Sequence, residues 1–302
     1  MEQAGLISST AGSLKSDLKR PLLARPGLEL AFVWLARSVI AGVALVLVVL
    51  IVDIVVDGWP RLSQQFFTSF PSRKPEQAGI YAAWTGSVFL IVLTVLCALP
   101  VGVGAALYLE EYSRKGRVTN LIELCIANLA GVPSVIYGLL GLQVFVRVLN
   151  FERSILSGAL TLALLVLPII IIAAREAIRT VPKGYREGAL ALGATKWQTV
   201  WTQVLPAALP GILTGCILAF SRAVGETAPL IALGALTYVA SVPDSLFAPF
   251  TALPIQAFNW LSRPQTEFHV NAAAAISVLL ALMLVTNGLA IWLRSRFQRR
   301  QR

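Results

Sequence analysis

The stretch SRAVGETAPLI, residues 221–231, sets Arg222 and Glu226 four residues apart in a run otherwise apolar from Leu209 to Val239. At helical spacing the two side chains share a face. A guanidinium is a planar fork of N–H donors that matches two oxygens of an oxyanion such as phosphate. An arginine at the centre of a bilayer costs about 2.5–3.5 kcal/mol, so it needs a partner, a water-filled cavity or a task. Two readings stay open. In one, the pair neutralises itself and fixes helix packing. In the other, Arg222 supplies positive potential to a translocating oxyanion while Glu226 keeps the empty pathway neutral. Thr227 follows Glu226 directly. Ser134, in GVPSVIYGLLG at residues 131–141, is a second candidate pathway hydroxyl, unless Pro133 there marks only a packing kink.

Other chemistries find no residues to carry them. Cys97, Cys125 and Cys216 stand singly in apolar segments, and His269 is the one histidine, so neither a metal-ligand set nor a disulfide framework is spelled out. GALALGAT, residues 188–195, has the glycine spacing of a phosphate-binding loop. Ala194 stands where the lysine belongs, and no strand precedes it. No cofactor is expected in this chain, and energy from ATP would have to enter through a partner.

The elements that must position the charged pair follow from composition. Of 302 residues, 57% are hydrophobic and 13% charged, about half the charge of a soluble domain, and the mean hydropathy is +0.75. This is the composition of an all-α polytopic membrane protein. Six apolar segments, at about 30–56, 82–108, 120–146, 156–174, 208–239 and 271–293, each have the length to cross a bilayer as a helix. Arg37 lies near enough to the start of the first to snorkel.

With both termini on one side, that side collects four basic residues from Lys15 to Arg25, three from Arg114 to Arg117, five from Arg175 to Lys196 and five from Arg294 to Arg302. The other side has six: Arg61, Arg73, Lys74, Arg147, Arg153 and Arg263. The positive-inside rule puts both termini in the cytoplasm and accounts for the net charge of +10, with no nucleic-acid partner implied. Residues 1–27 have no apolar core of their own and are expected to be a polar cytoplasmic tail, not a cleaved signal peptide. The membrane-spanning part is expected over 28–302.

Between the fourth and fifth segments runs REAIRTVPKGYREGALALGATKWQTVWTQVLP, residues 175–206. Pro182 and Gly184 break the helix leaving the bilayer. Gly193 permits a left-handed turn between two short helices, Tyr185 to Leu192 and Thr195 to Val204. Pro206 suits the first turn of the next helix. The stretch predicts a helix–turn–helix knob with Lys183, Arg186 and Lys196 on its rim. Arg222 then lies about 24 Å along the next helix from Pro206, deep in the membrane. Gly211, Gly215, Ala219, Ala223 and Thr227 form a small-residue stripe one row over, which lets another helix come close.

The knob resembles the coupling motif of ABC-importer permeases: Glu187, Ala189, Gly193, Leu205 and Pro206 stand at the motif's spacing, with departures at Gly188 and Gln203. SRAVGETAPLI, with FTALPIQAFNW at 250–260, GIYAAWTGS at 79–87, VPSVIYG at 132–138 and VPKGYREGALALGA at 181–194, is similar to the PstA-type permeases of bacterial phosphate importers. That resemblance implies a type I (MetI-like) ABC permease fold of six transmembrane helices, with a transmembrane core at about 80–294 in the inner membrane. It implies a PstC-type sister permease, two copies of a PstB-type ATPase binding ATP-Mg, and a PstS-type phosphate-binding protein outside. The five motif residues would couple to the ATPase.

Rival readings are a permease for another oxyanion such as molybdate or sulfate, a secondary transporter acting alone, and an intramembrane enzyme. Copurification of a soluble ATPase separates the first two importers from the rest. The charge asymmetry itself is testable. Single cysteines placed at Lys74 and Arg263 in a cysteine-free chain should react with an impermeant thiol reagent added outside, and one at Lys115 should not. Labelling at position 115 from outside would invert the topology.

Overall fold

Proline and glycine decide where the helices of this chain stop. The computed structural model describes residues 26–114, 116–235 and 238–299. The expected tail as far as Arg25, together with Lys115, Arg300 and Arg302, lies outside the described residues. Packing divides the chain between Asp53 and Ile54. Helix α1 (Pro26–Gly58) is apolar around its whole circumference from Val39 to Val52, and its 33 residues make a rod about 50 Å long. It begins at Pro26, so the last two residues assigned to the tail are already helical.

The larger unit contains the short α2 (Gln64–Thr68), then α3 (Tyr81–Leu107) with a π-helical end at Tyr108–Tyr112. Next come α4 (Arg117–Ala130), α5 (Ser134–Gly141) with a π-helical end at Leu142–Val148, and α6 (Ile155–Arg179). They are followed by α7 (Lys183–Ala191), α8 (Lys196–Thr199), α9 (Leu205–Gly225), α10 (Ala228–Leu233), α11 (Leu253–Leu261) and α12 (Thr266–Arg299). Among the described residues, five helices are long and apolar enough to cross a membrane, and α4 with α5 makes a sixth crossing if that bent pair counts as one. The six apolar segments of the sequence are therefore all represented.

Two of them are interrupted. Segment 120–146 is broken between Ala130 and Ser134, and its halves meet at 103°. Pro133 has no N–H to donate and drives Val132 away from helical backbone. The N–H groups of Gly131 and Val132 turn back to the carbonyls of Asn128 and Leu129, closing the first half. Tyr137 in the second half donates its hydroxyl to the Leu129 carbonyl at 2.8 Å, which braces the corner. Segment 208–239 likewise ends early: α9 stops at Gly225, and only the six residues of α10 are helical beyond it. Pro229 is the cause, since its ring would press on the carbonyl of Gly225 one turn back.

Pro206, expected to open a new helix, instead lies within one. Lys196 to Gly225 runs as a single helix of 30 residues. A π turn over Val200–Val204 widens the coil just before the proline, and so relieves the clash a tighter turn would create at Thr202.

Helix α6 is the buried centre, flanked by α3 and α9. Contacts are close because small residues meet. A Cβ on Gly211 would stand 2.7 Å from the Ala177 Cβ, and one on Gly215 would stand 2.2 Å from that of Ala173. Ala219 and Ala223 continue the stripe as buried residues, whereas Thr227 lies past the end of the helix. These two pairs fix an antiparallel register in which position 222 stands level with about residue 166 of α6. That is the midpoint of a helix running from 155 to 179.

At the end opposite the knob, Arg61 gathers the 57–80 connection. It donates to Asn271 Oδ1 at 2.9 Å and to the carbonyls of Pro75 at 3.0 Å and Ala78 at 2.9 Å. The α6–α9 contact is the one most open to test. Gly215→Val should force the helices apart and lower the unfolding midpoint of the solubilised protein, at a cost of about 1–3 kcal/mol. Gly104→Ala, whose new Cβ would meet nothing within 4 Å, should leave that midpoint where it is.

Candidate functional site: a break at mid-span and a knob at one end

Arg222 lies on the last turn of α9, and Glu226 is the residue at which the helix gives way to extended backbone, with ψ 115°. Arg222 Nε donates to Glu226 Oε1 at 3.1 Å. The partners are unequally placed: 47% of the Arg222 side chain is exposed, against 15% for Glu226. The pair joins the end of a helix to the break beyond it, and half of the cation is left open on the protein surface. Thr227 occupies the break, its hydroxyl 3.4 Å from the carbonyl of Gly225.

The second broken helix comes to the same place. Helix α10 packs on α5, where Gly138 lets the Pro229 carbonyl approach to within 2.4 Å of where a Cβ would stand. Ser134 opens α5, half-buried, one turn before Gly138, and makes no hydrogen bond to Arg222, Glu226 or Thr227 among the described residues. Tyr137, on that same helix, is close enough to Arg222 to interact with it electrostatically. The structure thus brings Arg222, Glu226 and Thr227 together and places Ser134 on the neighbouring short helix. Tyr137 was missed by sequence reasoning, although VPSVIYG carries it three residues after Ser134.

The knob is built as its glycine requires. After α7, Gly193 takes φ +83°, its N–H bonds the Leu190 carbonyl at 3.0 Å, and that of Ala194 bonds Ala189 at 3.1 Å. Thr195 and Gln198 then form a reciprocal capping box that starts α8. Glu187 and Gly193 are exposed, Ala189 and Leu205 are half-buried, and Pro206 is exposed at the base. Leu192 at the tip is 90% exposed, and Tyr185 and Trp197 beside it stand more than half in the open.

Arg186, expected on the rim, faces inward. Its Nε and NH2 groups hold Glu111 Oε1 at 2.9 and 2.7 Å, and its remaining donors reach the carbonyls of Val181 and Ile178. It adds hydrogen bonds to carbonyls at and just beyond the end of α6. Beside it, Glu110 accepts from Arg175 Nε at 2.7 Å and pairs with Arg179 at 2.9 Å, while Glu123 of α4 lies 2.5 Å from Arg175. Lys196 rests over the Tyr112 ring at 5.2 Å. The knob is thereby seated on the ends of α3 and α6. Only the adjacent acids Glu110 and Glu111, opposite a basic loop, hinted at this in the sequence.

A knob after a bundle of spans, with a broken helix ending at mid-depth, is an arrangement known from transport. A family model described as a binding-protein-dependent transport system inner membrane component matches residues 98–302. The chain belongs to that family. It is accordingly a multi-pass inner-membrane permease component and not an enzyme. It is 34% identical over 267 residues to the probable ABC transporter permease protein YqgI of Bacillus subtilis (strain 168), covering 84% of this chain and 90% of that one. To the phosphate transport system permease protein PstA of Haemophilus influenzae it is 32% identical over 248 residues, 82% of this chain and 86% of the relative. The family resemblance extends to solved structures. A bacterial ABC transporter involved in the import of alginate superposes with a TM-score of 0.64 at 16% identity, over 90% of this chain and 99% of that one. The MetNI methionine ABC transporter in an inward-facing conformation gives 0.53 at 20% identity, over 73% and 94%. The fold is that of MetI-like ABC importer permeases.

Gly193→Val would force a β-branched side chain into the left-handed turn at about 1–2 kcal/mol. Trypsin should then cut the knob between Lys183 and Lys196 faster than in the unaltered chain. Gly188→Ala, where a Cβ meets nothing within 4 Å, should leave the digestion pattern unchanged.

Proposed function

We propose that this chain is the membrane-spanning permease subunit of an ATP-driven importer that carries inorganic phosphate across the inner membrane. The observation that carries the reading is Arg222: a half-open guanidinium at a helix break, level with the middle of α6 and tethered on one side by Glu226. Several relatives of this length and order are named phosphate transport permeases, among them PstA 1 of Mycobacterium tuberculosis, 33% identical over 230 residues.

The chemistry follows from the geometry. A phosphate dianion leaving water for a low-dielectric passage needs a positive field, and the fork of Arg222 can offer two parallel N–H donors. Glu226 draws on one nitrogen of that fork, Nε, and weakens the field of the rest. Binding stays loose enough for release. Thr227 and Ser134 supply neutral hydroxyls that exchange hydrogen bonds with the passing ion at little electrostatic cost. Broken helices suit the task, since free backbone groups at membrane depth are tolerated where they line a cavity.

Power comes from outside the chain. In this reading two copies of a PstB-type ATPase, holding ATP-Mg, receive the knob. Leu192, Tyr185 and Trp197 enter a groove of the ATPase, and Glu187, Ala189, Gly193, Leu205 and Pro206 keep the knob's shape. A PstC-type sister permease completes the passage, a PstS-type binding protein delivers phosphate outside, and both termini are cytoplasmic.

Uptake of labelled phosphate and the yield of the assembled complex, measured together, test the site. Arg222→Gln should abolish uptake with assembly intact, and Arg222→Lys should restore only part, since a point charge lacks the fork. Glu226→Gln should alter the rate without abolishing uptake. If exchanging the two side chains between their positions gives normal assembly and normal uptake, the pair is packing alone and the pathway assignment is wrong.

A further inference from the structure

On the side opposite the knob, the loop entering α6 is held in an unusual shape. Asn150 and Glu152 both take positive φ, 54° and 56°, a conformation that costs a residue with a side chain about 1–2 kcal/mol. The surroundings fix it. Phe151 N–H bonds the Phe145 carbonyl at 3.0 Å, the Ser157 hydroxyl donates to the Glu152 carbonyl at 2.8 Å, and Ile155 N–H bonds Ala248 at 3.0 Å. Between those two strained residues and the start of α6 stands Arg153.

The loop directs Arg153 across the end of α10. Gly234, the residue that closes α10, has φ +88°, and a Cβ there would lie 2.9 Å from Arg153 Nε and 3.0 Å from its Cζ. The guanidinium therefore lies against bare backbone at a position where any side chain would displace it. Arg153 also lines an open cavity of about 430 Å³ with Val146, Glu152, Phe247 and Pro249. Arg175, Arg179, Arg186 and Arg222 each hold a carboxylate within ion-pair distance. Arg153 holds none among the described residues. It is an exposed cation, lying against Gly234 with no carboxylate paired to it, in a cavity large enough for a hydrated tetrahedral anion.

We infer that Arg153 is a receiving station for the oxyanion at the mouth of the passage, reached before Arg222. This rests on the phosphate reading above and deepens it. Register against α6 separates the two arginines by about 20 Å along the bundle, with α10 between them. An anion released at the mouth meets a positive field at once and is drawn toward the break. Glu152, on the same cavity, limits the field there as Glu226 does at the break. The arrangement also explains why a glycine ends α10: its small size makes room for the arginine as well as permitting the turn.

The test uses the whole importer complex and two readouts. At limiting phosphate, Arg153→Gln should slow uptake about tenfold, in the range by which a focused field speeds the capture of an ion, and Arg153→Lys should keep most of the rate. Complex yield should be the same for all three chains. The second readout does not depend on cargo. In a cysteine-free chain carrying Phe247→Cys beside the cavity, an anionic thiosulfonate should react faster relative to a cationic one when Arg153 is present. Arg153→Gln should lower that ratio several-fold, and millimolar phosphate should slow the labelling only in the chain that keeps Arg153. Normal uptake by Arg153→Gln, or an unchanged reagent ratio, would overturn the assignment. If the unaltered complex takes up no phosphate, the cargo reading falls by itself, and the reagent ratio still decides whether Arg153 gathers anions.

Discussion

The approach of α9 to α6 governs the geometry of everything beyond it. Inside a bilayer, lipid tails are as apolar as leucine, so helices associate by close packing and not by escape from water. Gly211 and Gly215 leave nothing between the two backbones but the methyl groups of Ala177 and Ala173. Such a contact has one good register. Sliding by a turn would set Ala207 or Ala219 where a glycine now stands, and its methyl would press on that of the facing alanine and hold the helices apart. The depth of Arg222 therefore follows from glycines seven and eleven residues before it.

A second set of forces works where the helices leave the bilayer. Six charges from three distant parts of the chain meet there: Glu110 and Glu111, Glu123, and the arginines at 175, 179 and 186. Glu110, Glu111 and Arg175 are shielded enough for their attractions to be worth more than those of exposed pairs, and losing a partner there would strand a charge. The consequence is mechanical. The knob is seated on α3 and α6 through charge, and it continues into α9 through covalent helix. Beyond the Gly193 turn, one continuous helix of 30 residues, Lys196 to Gly225, joins the seated knob to the break beside Arg222.

Much of this was legible in the residues. Apolar length gave every crossing, Gly193 gave the left-handed turn, and the small-residue stripe gave the close face of α9. What stayed hidden has physical reasons. Hydropathy registers burial from water, and the apolar residues beyond Leu233 score like a helix although Gly234, Ala235 and Tyr238 to Ala240 are not helical. Pro229 was the available sign that α9 ends at Gly225, and its effect falls one turn before it. Gly131 and Pro133 mark a break but carry no angle, because 103° is set by what the halves pack against. Arg186 looked like a rim residue because its acid lies 75 positions earlier in the chain. Pairing across such a separation leaves no local pattern. Arg153 was counted only as a basic residue of its side, since the glycine that receives it lies far along the sequence.

The π turn at Val200–Val204 has a consequence for phase. A π turn takes up one residue more than an α turn, so it corrects rotation between the two stretches of helix it joins. Below it, Lys196 must face Tyr112; above it, Gly211 and Gly215 must face α6. Each residue of an α-helix advances the face by 100°, so one residue added or removed between Leu205 and Gly211 would turn the stripe away from its neighbour. The widened turn is where such a change can be absorbed. A residue gained or lost at that turn leaves the face carrying Arg222 on its bearing, much as a coupling between two shafts is reset without moving either one.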